Sequence, residues 1–157
     1  MPEVRLDNAR DPEQLRRMEE LVRNGQCHFC REGFTERHKA PIIYESDYWL
    51  ITANNFPYTG SVHHYLIVPT QGHPTKISSL DSEAWIYLQV AIWWLEKYLG
   101  VSGESIFVRS GDMALTGATL DHLHFHFLVG QRKDTEPEEN KNKTEPLWVV
   151  LGYKEKE

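Results

Sequence analysis

Hydrophobic and polar positions alternate along this chain with two different periods. The sharpest alternation comes late, at Asp121-His122-Leu123-His124-Phe125-His126-Phe127-Leu128-Val129. A β-strand sends successive side chains to opposite faces, so this run predicts a strand with His122, His124 and His126 on one face and Leu123, Phe125 and Phe127 on the other. The apolar face needs a core, and the imidazole face needs something polar. Ile42-Ile43-Tyr44 and Tyr48-Trp49-Leu50-Ile51-Thr52 flank Glu45-Ser46-Asp47 and read as a hairpin. His64-Tyr65-Leu66-Ile67-Val68 reads as a third strand ending at Pro69, and Ser105-Ile106-Phe107-Val108-Arg109 as another. Leu147-Trp148-Val149-Val150-Leu151 is expected to close the set.

The helical period appears twice. Leu15, Met18, Leu21 and Val22 share a face after Asp11-Pro12, an N-cap acid with proline at the first helical position, so a helix is predicted from about 12 to 24, stopping near Gly25. Ala84, Trp85, Leu88, Ala91, Ile92, Leu95 and Leu99 predict a long helix over 82–99, capped by Asp81 and stopped by Gly100. Trp93 and Trp94 widen its apolar face and suit a core or half of a dimer interface. With strands outnumbering helices and antiparallel connections, the predicted class is α+β, as a single domain over 1–157.

The connections carry signals of their own. Asn54-Asn55-Phe56-Pro57-Tyr58-Thr59-Gly60 mixes turn formers with aromatics and reads equally as a nucleoside pocket or a plain loop. Ser110 to Leu120 holds Gly111 and Gly117, which are expected to turn backbone N–H groups toward an anion. Residues 131–146 are dominated by Lys, Asp, Glu, Asn and Pro and predict an exposed, mobile connection.

Composition narrows the function classes. In 157 residues, 17 basic side chains face 23 acidic ones for a net charge of -6, which disfavours bulk nucleic acid and anionic membranes but leaves room for a local phosphate site. Met1 to Arg10 has no apolar targeting core, and no run approaches the ~20 apolar residues of a membrane span, so a soluble, cytoplasmic protein is expected. Cys27-His28-Phe29-Cys30 is a C-x-x-C in a chain with two cysteines. Thioredoxin-like redox chemistry would want a strand before it and a helix straight after. A charged segment, Arg31 to Lys39, follows instead, which favours a metal. On the residues alone, the three alternate imidazoles suit a metal site, a proton relay, or a nucleophile with attendants, and a half-exposed strand of surface histidines is the plain alternative.

His122-Leu123-His124-Phe125-His126-Phe127-Leu128 is similar to the H-x-H-x-H-x-x signature, x apolar, of the histidine triad (HIT) superfamily. Cys27-His28-Phe29-Cys30 resembles the zinc C-x-F-C of these proteins. Pro57-Tyr58 with His64-Tyr65-Leu66-Ile67-Val68-Pro69 resembles their P-Y…H-x-L-x-V-P strand, and Gly117-Ala118-Thr119 stands where G-x-S/T precedes the triad. Order and rough spacing agree over residues 27 to 130. Gly111-Asp112 and Thr116 to His124 look like a bacterial subgroup near the dinucleoside-polyphosphate hydrolases and phosphorylases.

The resemblance implies a HIT-like fold, an antiparallel sheet of about five strands with a long helix packed on it. It implies His124 as nucleophile at the α-phosphorus of a nucleoside phosphate conjugate, either a dinucleoside polyphosphate or a phosphoramidate, with a nucleotidyl-histidine intermediate. The carbonyl of His122 would fix the tautomer of His124, His126 would bind a phosphoryl oxygen, His64 would be a fourth active-site histidine, and Thr119 would serve the leaving-group oxygen. Gly117, Ala118 and Asn54 would line the substrate, Asn54 standing where many members carry an acid on the ribose. It also implies a structural zinc on Cys27, Cys30, His73 and His122, a knuckle over 26–30. Val68 to His73 is one residue longer than the usual V-P-x-x-H, which leaves His28 and His38 as substitute ligands, although both are expected to be solvated. HIT proteins are commonly homodimers, which the tryptophan-rich helix permits. Two rivals accompany the nucleotide hydrolase or nucleotidyltransferase: a zinc-dependent hydrolase with its metal on His122, His124 and His126, and a nucleotide-binding module without turnover.

Overall fold

The two periods resolve into one sheet and two long helices in the computed structural model, which describes residues 3–132 and 146–153. Asp11 accepts a hydrogen bond from the Gln14 N–H and starts α1 (Pro12–Asn24), which ends at Gly25 in the left-handed region. One turn, α2 (Phe34–Arg37), follows. β1 (Ile42–Glu45) and β2 (Trp49–Ala53) form the expected hairpin, with the Ser46 N–H donating to Trp49 O at 2.8 Å. β3 (Ser61–Pro69) leads to α3 (Ser82–Leu99), where Asp81 accepts from the Ala84 N–H at 2.8 Å. β4 (Ser105–Val108), the short α4 (Met113–Thr116) and β5 (Phe125–Gly130) complete the set. No helix among the described residues is long and apolar enough to cross a membrane.

The strands form one antiparallel sheet in the order β1-β2-β3-β5-β4. Its two faces are sorted by the period of two. Trp49, Ile51, Ile67, Phe125 and Phe127 pack against Leu88, Ala91 and Leu95 of α3, and the Trp49 indole N–H donates to Ala84 O at 2.8 Å. On the other face Leu50, Leu66 and Val68 meet Leu21, Cys27, Phe29 and Phe34 of the N-terminal segment. β3 and β5 pair with Leu66 opposite His126, so His64 and His126 fall on this second face, beneath the N-terminal segment.

Three expectations need correction. β5 begins at Phe125, not His122. Its neighbours Ile67 and Val108 both end their ladders at Phe125, and upstream the Leu123 N–H turns to Pro74 O at 2.7 Å. The alternation survives, because Leu123 is still fully buried in the core under α3. Leu147 to Leu151 forms no strand. β-propensity reports fit to a half-buried pleated surface, and here Trp148, Val150 and Leu151 are exposed. The run lies instead beside the loop before β5, where Arg109 donates to Val150 O and the Tyr153 hydroxyl donates to Asn8 Oδ1. The segment Arg31 to Lys39 is not merely charged, since it contains α2 with Phe34 fully buried.

One pairing had no sequence signal. Val4 bridges Leu120, with the Arg5 N–H on Thr119 O and the Asp121 N–H on Glu3 O. The connection expected over 131–146 lies, from 133 to 145, outside the described residues.

Candidate functional site

The second sheet face collects the polar chemistry in two adjoining groups. In the first, Cys27, Cys30, His73 and His122 each bring one ligand atom, all within 4.8 Å of one another. Cys27 Sγ lies 3.3 Å and Cys30 Sγ 3.7 Å from His122 Nδ1, and Cys30 Sγ lies 3.2 Å from His73 Nδ1. Burial pushes the Cys27 thiol up to about 12, a penalty on the thiolate that a bound cation reverses. His73 turns its other nitrogen to Asp121 Oδ1 at 3.0 Å, the outer carboxylate that orients a metal-binding imidazole. His122 turns Nδ1 to the two sulfurs, and its Nε2 is buried with no close hydrogen-bond partner among the described residues. A closed set of two sulfurs and two imidazoles has the composition of a structural tetrahedral site.

His28 and His38 stay out of this group, and neither is solvated. They are buried against each other, His28 Nε2 3.2 Å from His38 Nδ1, and His38 Nε2 donates to Ala53 O at 3.0 Å. The extra residue in Val68 to His73 is absorbed by the turn through Gly72, at φ 64°, which returns His73 to the cysteines.

In the second group His124 Nδ1 donates to the carbonyl of His122 at 2.8 Å, so the lone pair of the neutral ring sits on Nε2. Burial holds His124 down at about 4, and the His122 hydrogen bond offsets this in part. His126 Nδ1 lies 2.9 Å from His64 Nε2, and the Tyr58 N–H donates to His64 Nδ1 at 3.1 Å. Phe107, opposite His126 on β4, stacks on its ring with centroids 4.5 Å apart. Burial first, then the neighbouring histidines and arginines, keeps His126 well below its ordinary range. Burial and then Arg10 bring His64 to about 3.

A cleft with two arms passes over His124 and His126. One arm runs under α1 past Met18, Leu21, Phe29 and Leu66, with Gln14, Asn54 and Asn55 as its amides. The other, a cavity of about 220 Å³, is lined by Arg10, Tyr58, Arg109, Gly117, Ala118 and Thr119 among others. Thr119 borders both arms, and Asn54 lies against His64, its amide nitrogen 3.1 Å from Nε2. The structure therefore brings every candidate residue to one of the two groups. The glycine N–H groups do not serve as expected. Gly111 donates to Thr75 O at 2.9 Å, outside the loop, and Gly117, the C-cap of the short α4, to Met113 O at 3.0 Å.

Arg10, Arg109, Asp121 and Phe107 are additions that sequence reasoning missed. Phe107 and Arg109 fell in a predicted strand leading into the loop before the triad and Asp121 at the head of the triad run, but nothing local marked them as site residues, and Arg10 carried no signal. The three triad imidazoles do not converge on one point. His122 faces the sulfurs, His124 its own backbone, and His126 lies between His64 and Arg109 at 3.2 Å. That geometry removes the reading of a metal held by all three.

A family model for the HIT domain matches residues 35–133, beginning after both cysteines. No curated protein matches significantly. Among solved structures, the chain is similar to a HIT family hydrolase from Legionella pneumophila Philadelphia 1, with a TM-score of 0.56 and 23% identity, covering 69% of this chain and 96% of that one. It is similar to a HIT family hydrolase from Clostridium thermocellum, with a TM-score of 0.53 and 23% identity over 69% and 92% of the two chains. A zinc-bound histidine triad family protein from Mycobacterium smegmatis matches with a TM-score of 0.50 and 19% identity over 73% and 88%. These likenesses show the fold, a five-stranded antiparallel sheet with helices. With the triad, the sheet order and the matched segment in agreement, the chain belongs to the HIT domain family.

Proposed function

We propose that this protein is a nucleotide hydrolase or nucleotidyltransferase that works through a covalent nucleotide on His124. The observation that carries the reading is the 2.8 Å hydrogen bond from His124 Nδ1 to the His122 carbonyl, which fixes the tautomer and leaves Nε2 as the attacking nitrogen. The low proton affinity of the buried ring keeps that nitrogen unprotonated at neutral pH. The His124 lone pair forms an N–P bond to the α-phosphorus, and the bond to the leaving group breaks with its electron pair. Water then adds to phosphorus, the N–P bond breaks with its pair returning to Nε2, and one proton is released. His126 holds a phosphoryl oxygen, His64 positions His126, and Thr119 serves the leaving-group oxygen. The apolar arm with Asn54 takes the nucleoside, and Gly117 and Ala118 border the leaving group.

Zinc is the ion that suits Cys27, Cys30, His73 and His122, and there it would tie the N-terminal segment to the run leading into β5 without touching substrate. A second copy of the chain is the proposed partner. Ile86, Val90 and Trp93 lie at i, i+4 and i+7 on α3 and are all exposed, Trp93 at 58%.

Turnover of a dinucleoside polyphosphate and a nucleoside phosphoramidate by wild type, His124→Ala and a metal-stripped sample tests the reading. Turnover is expected to vanish in His124→Ala, to survive metal removal wherever the fold survives, and to leave a nucleotide on His124 detectable by mass spectrometry. Binding without turnover would support a nucleotide-binding module instead.

A further inference from the structure

Two cations of the cleft have no ion-pair partner among the described residues. Arg10 and Arg109 border the same cavity, and among the described residues neither guanidinium forms an ion pair. Asp7 borders the cavity as well and pairs with neither. Arg109 is fixed in place, with Nε donating to Thr116 O at 3.1 Å and Nη2 to Val150 O, which leaves Nη1 3.2 Å from His126 Nε2. Arg10 lies over the Tyr58 ring, 4.2 Å from its centroid, and Nη2 donates to Phe56 O at 3.1 Å. Burial weighs against the Arg10 cation and Arg109 adds to that, while Tyr58 and Asp11 act the other way.

Counting protons along the histidine pair sharpens the point. The Tyr58 N–H occupies the lone pair on His64 Nδ1, so a neutral His64 carries its proton on Nε2. That proton points at His126 Nδ1, which must accept it, so His126 carries its own proton on Nε2. The Asn54 amide nitrogen, 3.1 and 3.4 Å from the two nitrogens of His64, is too nearly equidistant from both to lie along either lone pair and leaves the count unchanged. Two donors, His126 Nε2–H and Arg109 Nη1–H, thus face each other across 3.2 Å with no acceptor between them. An oxyanion satisfies such a pair.

We propose that Arg109 and Arg10 receive a second phosphoryl group, so that the site selects nucleotides with a phosphorylated leaving group over phosphoramidates with an uncharged amine. The inference rests on His124 acting at the α-phosphorus. When His124 Nε2 forms its bond to that phosphorus, the α-P–O bond breaks and its electron pair stays on the bridging oxygen, which departs as the oxyanion of a phosphate or nucleotide. Such a leaving group needs its charge neutralised and no proton. A departing amine needs a proton, and arginine keeps its own at any working pH. Two guanidiniums also exceed the single charge of an α-phosphoryl joined to a nucleoside and an amine, and a β-phosphoryl supplies the rest.

Calorimetric binding of AMP against ADP, with GMP against GDP in parallel, tests this on wild type, Arg10→Gln and Arg109→Gln. Wild type is expected to prefer the diphosphate by about tenfold or more, the worth of one charge-assisted hydrogen bond, and each variant to lose most of that preference. Arg109 also holds Val150, so Arg10→Gln, whose own hydrogen bond goes to Phe56 O and not to that segment, keeps the test sound if Arg109→Gln loosens it. Equal binding of mono- and diphosphates by wild type, or a preference that survives in both variants, overturns the inference while leaving the His124 reading intact. Failure of all four nucleotides to bind removes the His124 reading, and this inference falls with it.

Discussion

Burial lowers the proton affinity of the histidines that line the cleft, and His64 shows its consequence for stability. Burial, then Arg10, His124 and Arg109, hold the folded ring at about 3, whereas an unfolded histidine titrates near 6.5. Between those values the unfolded chain binds a proton that the folded chain excludes. Stability is therefore full above about pH 6.5 and is lost as pH falls toward 3. Denaturant titrations from pH 7.5 to 4.5 should show this decline, and His64→Gln should flatten it by up to about 1.4 kcal/mol per pH unit. An unchanged slope would mean that His64 is not the group excluded from protonation. Asp121 belongs to the same scale. Its hydrogen bond to His73 predicts that Asp121→Asn weakens metal binding by about 10- to 100-fold in competition with a chelator. Equal affinity would detach Asp121 from the cluster.

At the scale of elements, α3 is the best determined. Asp81 and Gly100 bound it, and the Asp81 carboxylate accepts from the Ala84 N–H at 2.8 Å. Asp81→Ala should cost about 1 kcal/mol, read as a lower Tm with the native spectrum retained. Trp93→Glu should shift the sedimentation coefficient to that of a single chain if a second copy covers Ile86, Val90 and Trp93, while a wild type already sedimenting as one chain would remove that partner. Both helices were legible because caps and apolar period agree within one segment, and the hairpin because its turn residues lie between two β-rich runs. Strand limits were less so. The start of β5 depends on where Ile67 and Val108 stop pairing, which is a property of other strands. Leu147 to Leu151 has the composition of a strand but no ladder to join. Triad and cysteines could be read because each motif is contiguous, whereas Arg10 and Arg109 reach the cleft from segments about a hundred residues apart, a distance that local pattern does not span.

At the scale of the molecule, the sheet divides two cores, one under α3 and one under the N-terminal segment, and the histidines border the second. The two cores differ in how they are secured. The first joins α3 directly to the strands. The second adds to its apolar contacts a cluster drawn from chain positions far apart, since Cys27 meets His122 across 95 residues and Cys30 meets His73 across 43. Closing loops of that length carries an entropic penalty that grows slowly with length, and a bound ion would offset it with strong bonds. An ion held by the cluster would set a sequence of events in time. Amides of β2, β3 and α3 should gain protection from hydrogen exchange early in refolding and keep it after chelation, while those of α1 should gain it late and lose it when the ion is removed. Uniform loss across both cores on chelation would mean that the molecule opens as one unit. With the ordered loss, the N-terminal segment is a latch whose release exposes His124 and His126 to water before the sheet has begun to unfold.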